Sequence, residues 1–194
     1  MSLLLGTQAK AQVAPNPGGF SVDEYYQPGW HEATASVGAL FSNVVRADNR
    51  PNIDYAFGGA SAGYMVTHIH GSSIFRGNLE LAPELFAADV FDGPGNYVAG
   101  ATLWIRYNFV QPGWRLVPYI QGGGGGTALD IPDKFDGKMY NWNLDAAIGL
   151  HYFILPNLTL NAEYRLQHIS NADMWSHNVG VNTSGPAVGV SLFF

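Results

Sequence analysis

Asn157-Leu158-Thr159-Leu160-Asn161-Ala162-Glu163-Tyr164-Arg165-Leu166-Gln167-His168-Ile169-Ser170 is the stretch from which this chain is best read. Leu158, Leu160, Ala162, Tyr164 and Leu166 share one parity, and Asn157, Thr159, Asn161, Glu163, Arg165 and Gln167 share the other. Period 2 with one apolar and one polar face is the signature of a β-strand. The apolar series then continues into His168 and Ser170, so an imidazole and a hydroxyl end the greasy face, two residues apart on one side of the strand. Asn171-Ala172-Asp173-Met174-Trp175-Ser176-His177-Asn178-Val179-Gly180-Val181-Asn182 follows.

Composition says what that greasy face meets. Charged residues are 12% of the 194, against 13% Phe, Trp and Tyr and 24 glycines, a mix suited to a wall that faces something apolar. The length suits a single domain. No apolar run reaches the roughly 18 residues of a membrane-spanning helix, so the way through a bilayer is a closed barrel. Zero cysteines exclude disulfide, thiolate and Cys-zinc chemistry, and a net charge of -6 with nine scattered Lys and Arg argues against nucleic acid.

Eight strand-like segments are predicted, at residues 33–46, 53–66, 74–87, 96–109, 115–126, 140–154, 157–170 and 186–194. In the third, Arg76, Asn78, Glu80 and Glu84 alternate with Phe75, Leu79, Leu81 and Leu85; in the fourth, Thr102, Arg106 and Asn108 alternate with Leu103, Ile105, Tyr107 and Phe109. The sixth sets Asn141, Asn143 and Asp145 against Tyr140, Trp142, Leu144, Ile148 and Leu150. The first, second and fifth alternate poorly. One or two charges per strand are too few for a water-facing surface. The pattern instead fits an all-β, eight-stranded antiparallel transmembrane barrel, apolar outside, with Arg76, Arg106, Arg165, Glu80, Glu84, Asp145 and Glu163 pairing in a small polar interior. Tyr97, Tyr107, Trp114, Tyr140, Trp142 and Tyr152 at strand ends supply the interfacial aromatic girdles.

Residues 1–12, with Leu3-Leu4-Leu5 and an Ala9-Lys10-Ala11 cleavage-like triplet, read as the remnant of a secretory signal peptide; 13–32 form a lead-in and 33–194 the barrel. Tight connections at Gln111-Pro112-Gly113 and Leu155-Pro156-Asn157 are periplasmic, and the long stretches 127–139 and 171–185 lie outside. The alternating C-terminal run ending at Phe194 is similar to the terminal strands of outer-membrane barrels, which implies the barrel-assembly machinery as a partner during insertion. Leu158 to Leu166 spans about 26 Å of strand, or about 20 Å of depth at a tilt near 40°, so His168 and Ser170 fall at the outer rim of an apolar band about 25 Å tall. Lipid ester bonds lie at that depth. At i and i+2 the imidazole can take the serine proton for ester cleavage, and loop amides can face an oxyanion.

A His-x-Ser at a barrel rim is by itself ordinary interface decoration. Its context here, His168-Ile169-Ser170-Asn171-Ala172 followed by Asn178-Val179-Gly180-Val181-Asn182 at the outer end of the seventh of eight strands, resembles the active-site segment of the lipid A 3-O-deacylases, also called acyloxyacyl hydrolases. The resemblance implies an outer-membrane serine esterase of lipid A in lipopolysaccharide, with Ser170 as nucleophile, His168 as general base, and Asn171 and Asn178 assisting the oxyanion; it implies no metal or organic cofactor. Where that family has an acidic third member, this chain has Asn182, whose carbonyl can hold the imidazole tautomer but stabilises the imidazolium less than a carboxylate. Asp173 is the alternative carboxylate.

Other candidates are weaker. Gly122 to Gly126 lacks the Lys-Ser/Thr of a phosphate loop and reads as barrel wall, or as a smooth groove for an acyl chain. His68 and His70 flank Ile69 in a periplasmic turn without a third metal ligand nearby in sequence. His177 reads as an exposed loop histidine, and Glu80 with Glu84 as barrel filling rather than glycosidase acids. Two rival classes are a non-catalytic structural or adhesion barrel and a soluble lipocalin-like carrier.

Overall fold

A computed structural model describes residues 20–42, 50–136 and 139–194. Eight strands close into one antiparallel barrel in sequence order: β1 (His31–Leu40), β2 (Asp54–Met65), β3 (Gly77–Asp92), β4 (Tyr97–Phe109), β5 (Leu116–Leu129), β6 (Tyr140–Leu155), β7 (Leu158–Ser170) and β8 (Val181–Phe193). β1 seals against β8, from Glu32 opposite Phe193 to Gly38 opposite Ala187. Closure leaves no open sheet edge among these strands, which is what a lipid solvent demands of a backbone.

Alternation holds on every strand, including β2, whose sequence pattern is blurred by Gly and Ala. Leu103, Ile105, Leu144, Ile148 and Leu160 stand on the outer wall, half or more exposed. Glu80, Glu84, Arg106, Asp145 and Arg165 are buried inside. That is the reverse of a lipocalin. Toward the ends of the strands the girdle residues Tyr97, Trp114, Tyr140, Trp142 and Tyr152 are exposed.

The interior is a polar belt between two apolar caps, more structured than the polar lumen the sequence predicts. Arg165 bonds Glu163 at 2.7 Å and Glu84 at 3.1 Å, and lies over the rings of Phe57 and Trp104. Arg106 reaches Glu32 at 3.2 Å and Glu80 at 3.4 Å, with its Nε–H donating to Gln121. Each guanidinium is thus shared by two carboxylates, the arrangement that lets charge persist away from water. A central cavity of about 30 Å³, bordered by Glu84, Trp104 and Arg106, has room for roughly a water molecule. That space is far too small for a lipid. At one end Tyr55, Phe57, Phe86, Val98, Leu129 and Ile169 pack together; they fall on the inward parity, where the strand pattern alone does not separate them from polar neighbours.

The opposite end is closed by the lead-in, which the sequence leaves unplaced. A 3-10 turn at Val22–Glu24 sets Val22, Tyr25 and Tyr26 against Met65, Val110, Phe153 and Phe193. The Asn78 amide donates to the Tyr26 carbonyl at 3.0 Å. Burial, reinforced by the Glu32 and Glu80 carboxylates, pushes the Tyr26 phenol well above its ordinary range, so it stays neutral in the mouth of the barrel.

Several expectations are corrected. β3 begins at Gly77 rather than 74, after a separate 3-10 turn at Ser73–Phe75, and runs on to Asp92. Arg76 therefore lies outside the lumen, where it holds Asp23 of the lead-in through two hydrogen bonds of 2.6 and 3.2 Å. β5 extends to Leu129, and β8 starts at Val181 rather than 186 because Asn182 to Gly185 continue the ladder with β7. β1 is described only to Leu40; the expected strand residues 43–46, the signal remnant 1–12 and the first part of the lead-in lie outside the described residues.

Candidate active site at the barrel rim

β7 carries His168 and Ser170 on its outward parity. Arg165, Gln167 and Ile169 are buried inside, whereas Tyr164 and Leu166 are exposed to the lipid side and His168 and Ser170 are partly exposed beyond them. The pair thus shares the outer wall with the leucines below it. On one side His168 lies opposite Leu144 and Ser170 opposite Trp142 of β6. On the other, His168 lies opposite Asn182.

That last pairing corrects the position of Asn182, which belongs to β8 and not to the loop. Its Oδ1 accepts a hydrogen bond of 2.6 Å from His168 Nδ1–H. With the Nδ1 proton so engaged, the Nε2 lone pair is the one free to accept a proton. The bond is set by strand register, because a slip of one residue would turn Asn182 into the lumen. Beneath the pair, a groove of about 220 Å³ runs along the wall between Leu144, Ala146, Leu166 and His168. Gly126, Ala128, Tyr140, Trp142 and Met174 border a second, larger hollow of about 420 Å³ on the far side of Trp142. Gly122 to Gly126 lie in β5, as wall.

The loop from 171 to 180 is built on its own asparagines. Asn171 is fully buried; its backbone N–H donates to Asn178 Oδ1 at 3.1 Å and its side-chain amide to the His177 carbonyl at 2.5 Å. Asn178 donates to Asp173 Oδ1 at 2.7 Å. Both asparagine side chains therefore hold the loop. Asp173 faces Asn178 rather than the imidazole, so it does not serve as the carboxylate that orients His168. A turn closed by Met174 N–H on the Asn171 carbonyl puts Ala172 and Asp173 at φ of 52° and 60°. Non-glycine residues in that region cost roughly 1–3 kcal/mol each and persist where surrounding structure holds them. Here the holding structure is the Asn171–Asn178 pair.

A feature not read from the sequence completes the site. Gly180, at φ +71°, packs against both members of the pair: a β-carbon there would lie 3.1 Å from His168 Cε1 and 3.8 Å from Ser170 Cβ. The only signal in the sequence is a glycine where the chain re-enters a strand. The short helix α1 (Asp133–Asp136) in the β5–β6 loop reaches the same place, its Phe135 carbonyl accepting from Val179 N–H at 2.8 Å. His177 is exposed, as expected. His68 and His70 are far off at the lead-in end, bonded through Nδ1 to Gln27 Oε1 and to the His68 carbonyl.

Comparison with known proteins places the fold and the family. In fold the chain is similar to the crystal structure of the outer-membrane enzyme PagL, with a TM-score of 0.61 at 18% identity over 81% of this chain and 97% of that one. It is similar to the Neisserial surface protein A structure to nearly the same degree, 0.60 at 16% identity over 86% and 97%. Among curated protein sequences nothing matches. The family model for lipid A 3-O-deacylase (PagL) matches residues 77–191, more than half of the chain and the whole of β3 to β7 with their connections. The protein is an outer-membrane β-barrel, and it belongs to the lipid A 3-O-deacylase (PagL) family.

Proposed function

We propose that this barrel is a serine esterase that removes the ester-linked acyl chain from the 3-position of lipid A. The observation that carries the reading is the lipid-facing His168, locked by Asn182 at 2.6 Å with Ser170 two residues beyond it on the same side, in a chain of this family. With the two-residue β6–β7 turn periplasmic, the site end looks outward, and substrate reaches it laterally from the outer leaflet.

Ser170 Oγ attacks the acyl carbonyl carbon while its proton passes to His168 Nε2; the tetrahedral oxyanion forms, with Asn171 and Asn178 of the adjoining loop as the residues that assist it in this reading. The carbon–oxygen ester bond then breaks, His168 returns the proton to the departing sugar oxygen, and an acyl-serine remains. Water, deprotonated by His168, attacks the acyl carbon, and Ser170 leaves with the proton as the free fatty acid departs. Asn182 keeps the imidazole in the tautomer that both halves need.

The rival reading is a surface barrel without chemistry, favoured by the equal fold similarity to Neisserial surface protein A. Ser170→Ala separates the two. Mass spectra of lipid A incubated with the detergent-folded parent should lose one acyl chain, and the folded variant should leave lipid A intact. If parent and variant yield the same acylation pattern, the esterase reading is wrong.

A further inference from the structure

We propose that Gly180 is a positioning residue for the His168–Ser170 pair, an inference that rests on the esterase reading above. Continuing the register of Ile169 opposite Val181 puts Gly180 across from Ser170. A β-carbon at 180 would stand 3.1 Å from His168 Cε1, 3.3 Å from the Ile169 carbonyl oxygen and 3.8 Å from Ser170 Cβ. The absence of that carbon leaves room for the imidazole edge beside the chain. Cε1 is bonded to both ring nitrogens, so a push on it cannot leave both undisturbed: either the 2.6 Å bond from Nδ1 to Asn182 lengthens or Nε2 changes its position relative to Ser170. The segment has little freedom to yield. Val179 N–H is tied to the Phe135 carbonyl at 2.8 Å immediately before Gly180, and β8 begins immediately after it. A misplacement of about 1 Å costs on the order of a hundredfold in rate, so a displacement of a few tenths of an ångström costs on the order of tenfold.

The test uses the full chain folded in detergent, as Gly180→Ala and Gly180→Asn, with Gly58→Ala on the remote outer wall as control, where the nearest atom to a new β-carbon is 4.0 Å away. Asn adopts left-handed backbone more readily than Ala, so it preserves φ while still adding the carbon, and it carries the test if the Ala variant does not fold. Three readouts are taken on folded protein: the rate at which a fluorophosphonate modifies Ser170, kcat and KM on lipid A, and the His168 Nδ1–H proton resonance. Both Gly180 variants should lose more than twofold, and on the order of tenfold, in labelling and in kcat, keep KM within about twofold, and shift the resonance, while Gly58→Ala matches the parent. A merely structural role would lower the unfolding temperature without slowing the folded molecules. Labelling and turnover within twofold of the parent in a folded Gly180 variant overturn the proposal. If the parent itself is not labelled at Ser170, the esterase reading fails separately, and an unmoved His168 resonance in the variants would then refute the positioning role on its own.

Discussion

Asn182 is where this site is most open to a quantitative challenge. In the proposed mechanism its bond to His168 joins two neutral groups at rest and contributes ~1 kcal/mol; when the imidazole takes up the serine proton the same bond would become charge-assisted and roughly double in strength. Asn182→Leu removes that difference of ~1 kcal/mol, about fivefold in rate, and also frees the imidazole to adopt the tautomer whose Nε2 cannot accept a proton, so kcat should fall about 10- to 30-fold overall. Asn182→Asp is isosteric and places an anion against the same Nδ1. At a partly exposed rim the effective dielectric is high, so the Coulomb gain at about 4 Å is close to the aqueous value of ~1 kcal/mol and kcat should rise about fivefold. The new charge would also repel the phosphorylated substrate and raise KM. Initial rates of fatty-acid release from mixed micelles, scaled to the folded fraction by heat-modifiable gel mobility, resolve both changes. A folded Asn182→Leu variant with the parent's kcat, or an Asn182→Asp variant slower in kcat, would refute the claim that Asn182 orients a general base.

The remaining expectations concern the barrel. Arg165→Ala strips Glu84 and Glu163 of their shared guanidinium and should cost about 3–5 kcal/mol, read as a loss of heat-resistant folded band in urea titrations. Tyr26→Ala empties a fully buried site in the N-terminal stopper and should cost about 3–5 kcal/mol, whereas Arg76→Ala, which breaks a part-exposed pair with Asp23, should cost about 1 kcal/mol or less; equal effects in parallel unfolding curves would mean that the ion pair, not the aromatic packing, holds the stopper. Ile148→Arg sets a cation on the lipid face and should cost about 2–4 kcal/mol in vesicles; a neutral result would mean that this wall does not face hydrocarbon.

Much of this was legible in the linear chain because a strand's two faces are written in its parity. The outward run from Leu158 to Ser170, the inward charges at Glu80, Glu84, Arg106, Asp145 and Arg165, and the aromatic ends at Tyr140, Trp142 and Tyr152 all stand where alternation puts them. The misplacements occurred where parity is silent. Arg76 has the parity of an interior residue but sits before its strand begins, so its partner is Asp23, 53 residues earlier. Asp173, the alternative carboxylate for the imidazole, instead accepts a hydrogen bond from Asn178 of its own loop.

The sequence by itself determined that this is a membrane wall with a histidine and a serine on its lipid side, since side-chain direction in a strand follows from counting by two. Which residues meet across neighbouring strands was decided only by closure of the barrel, because register is a property of pairs of strands. It brought Asn182 to within 2.6 Å of His168 and laid Gly180 against both His168 and Ser170, contacts between residues 10 to 14 positions apart that no local pattern encodes.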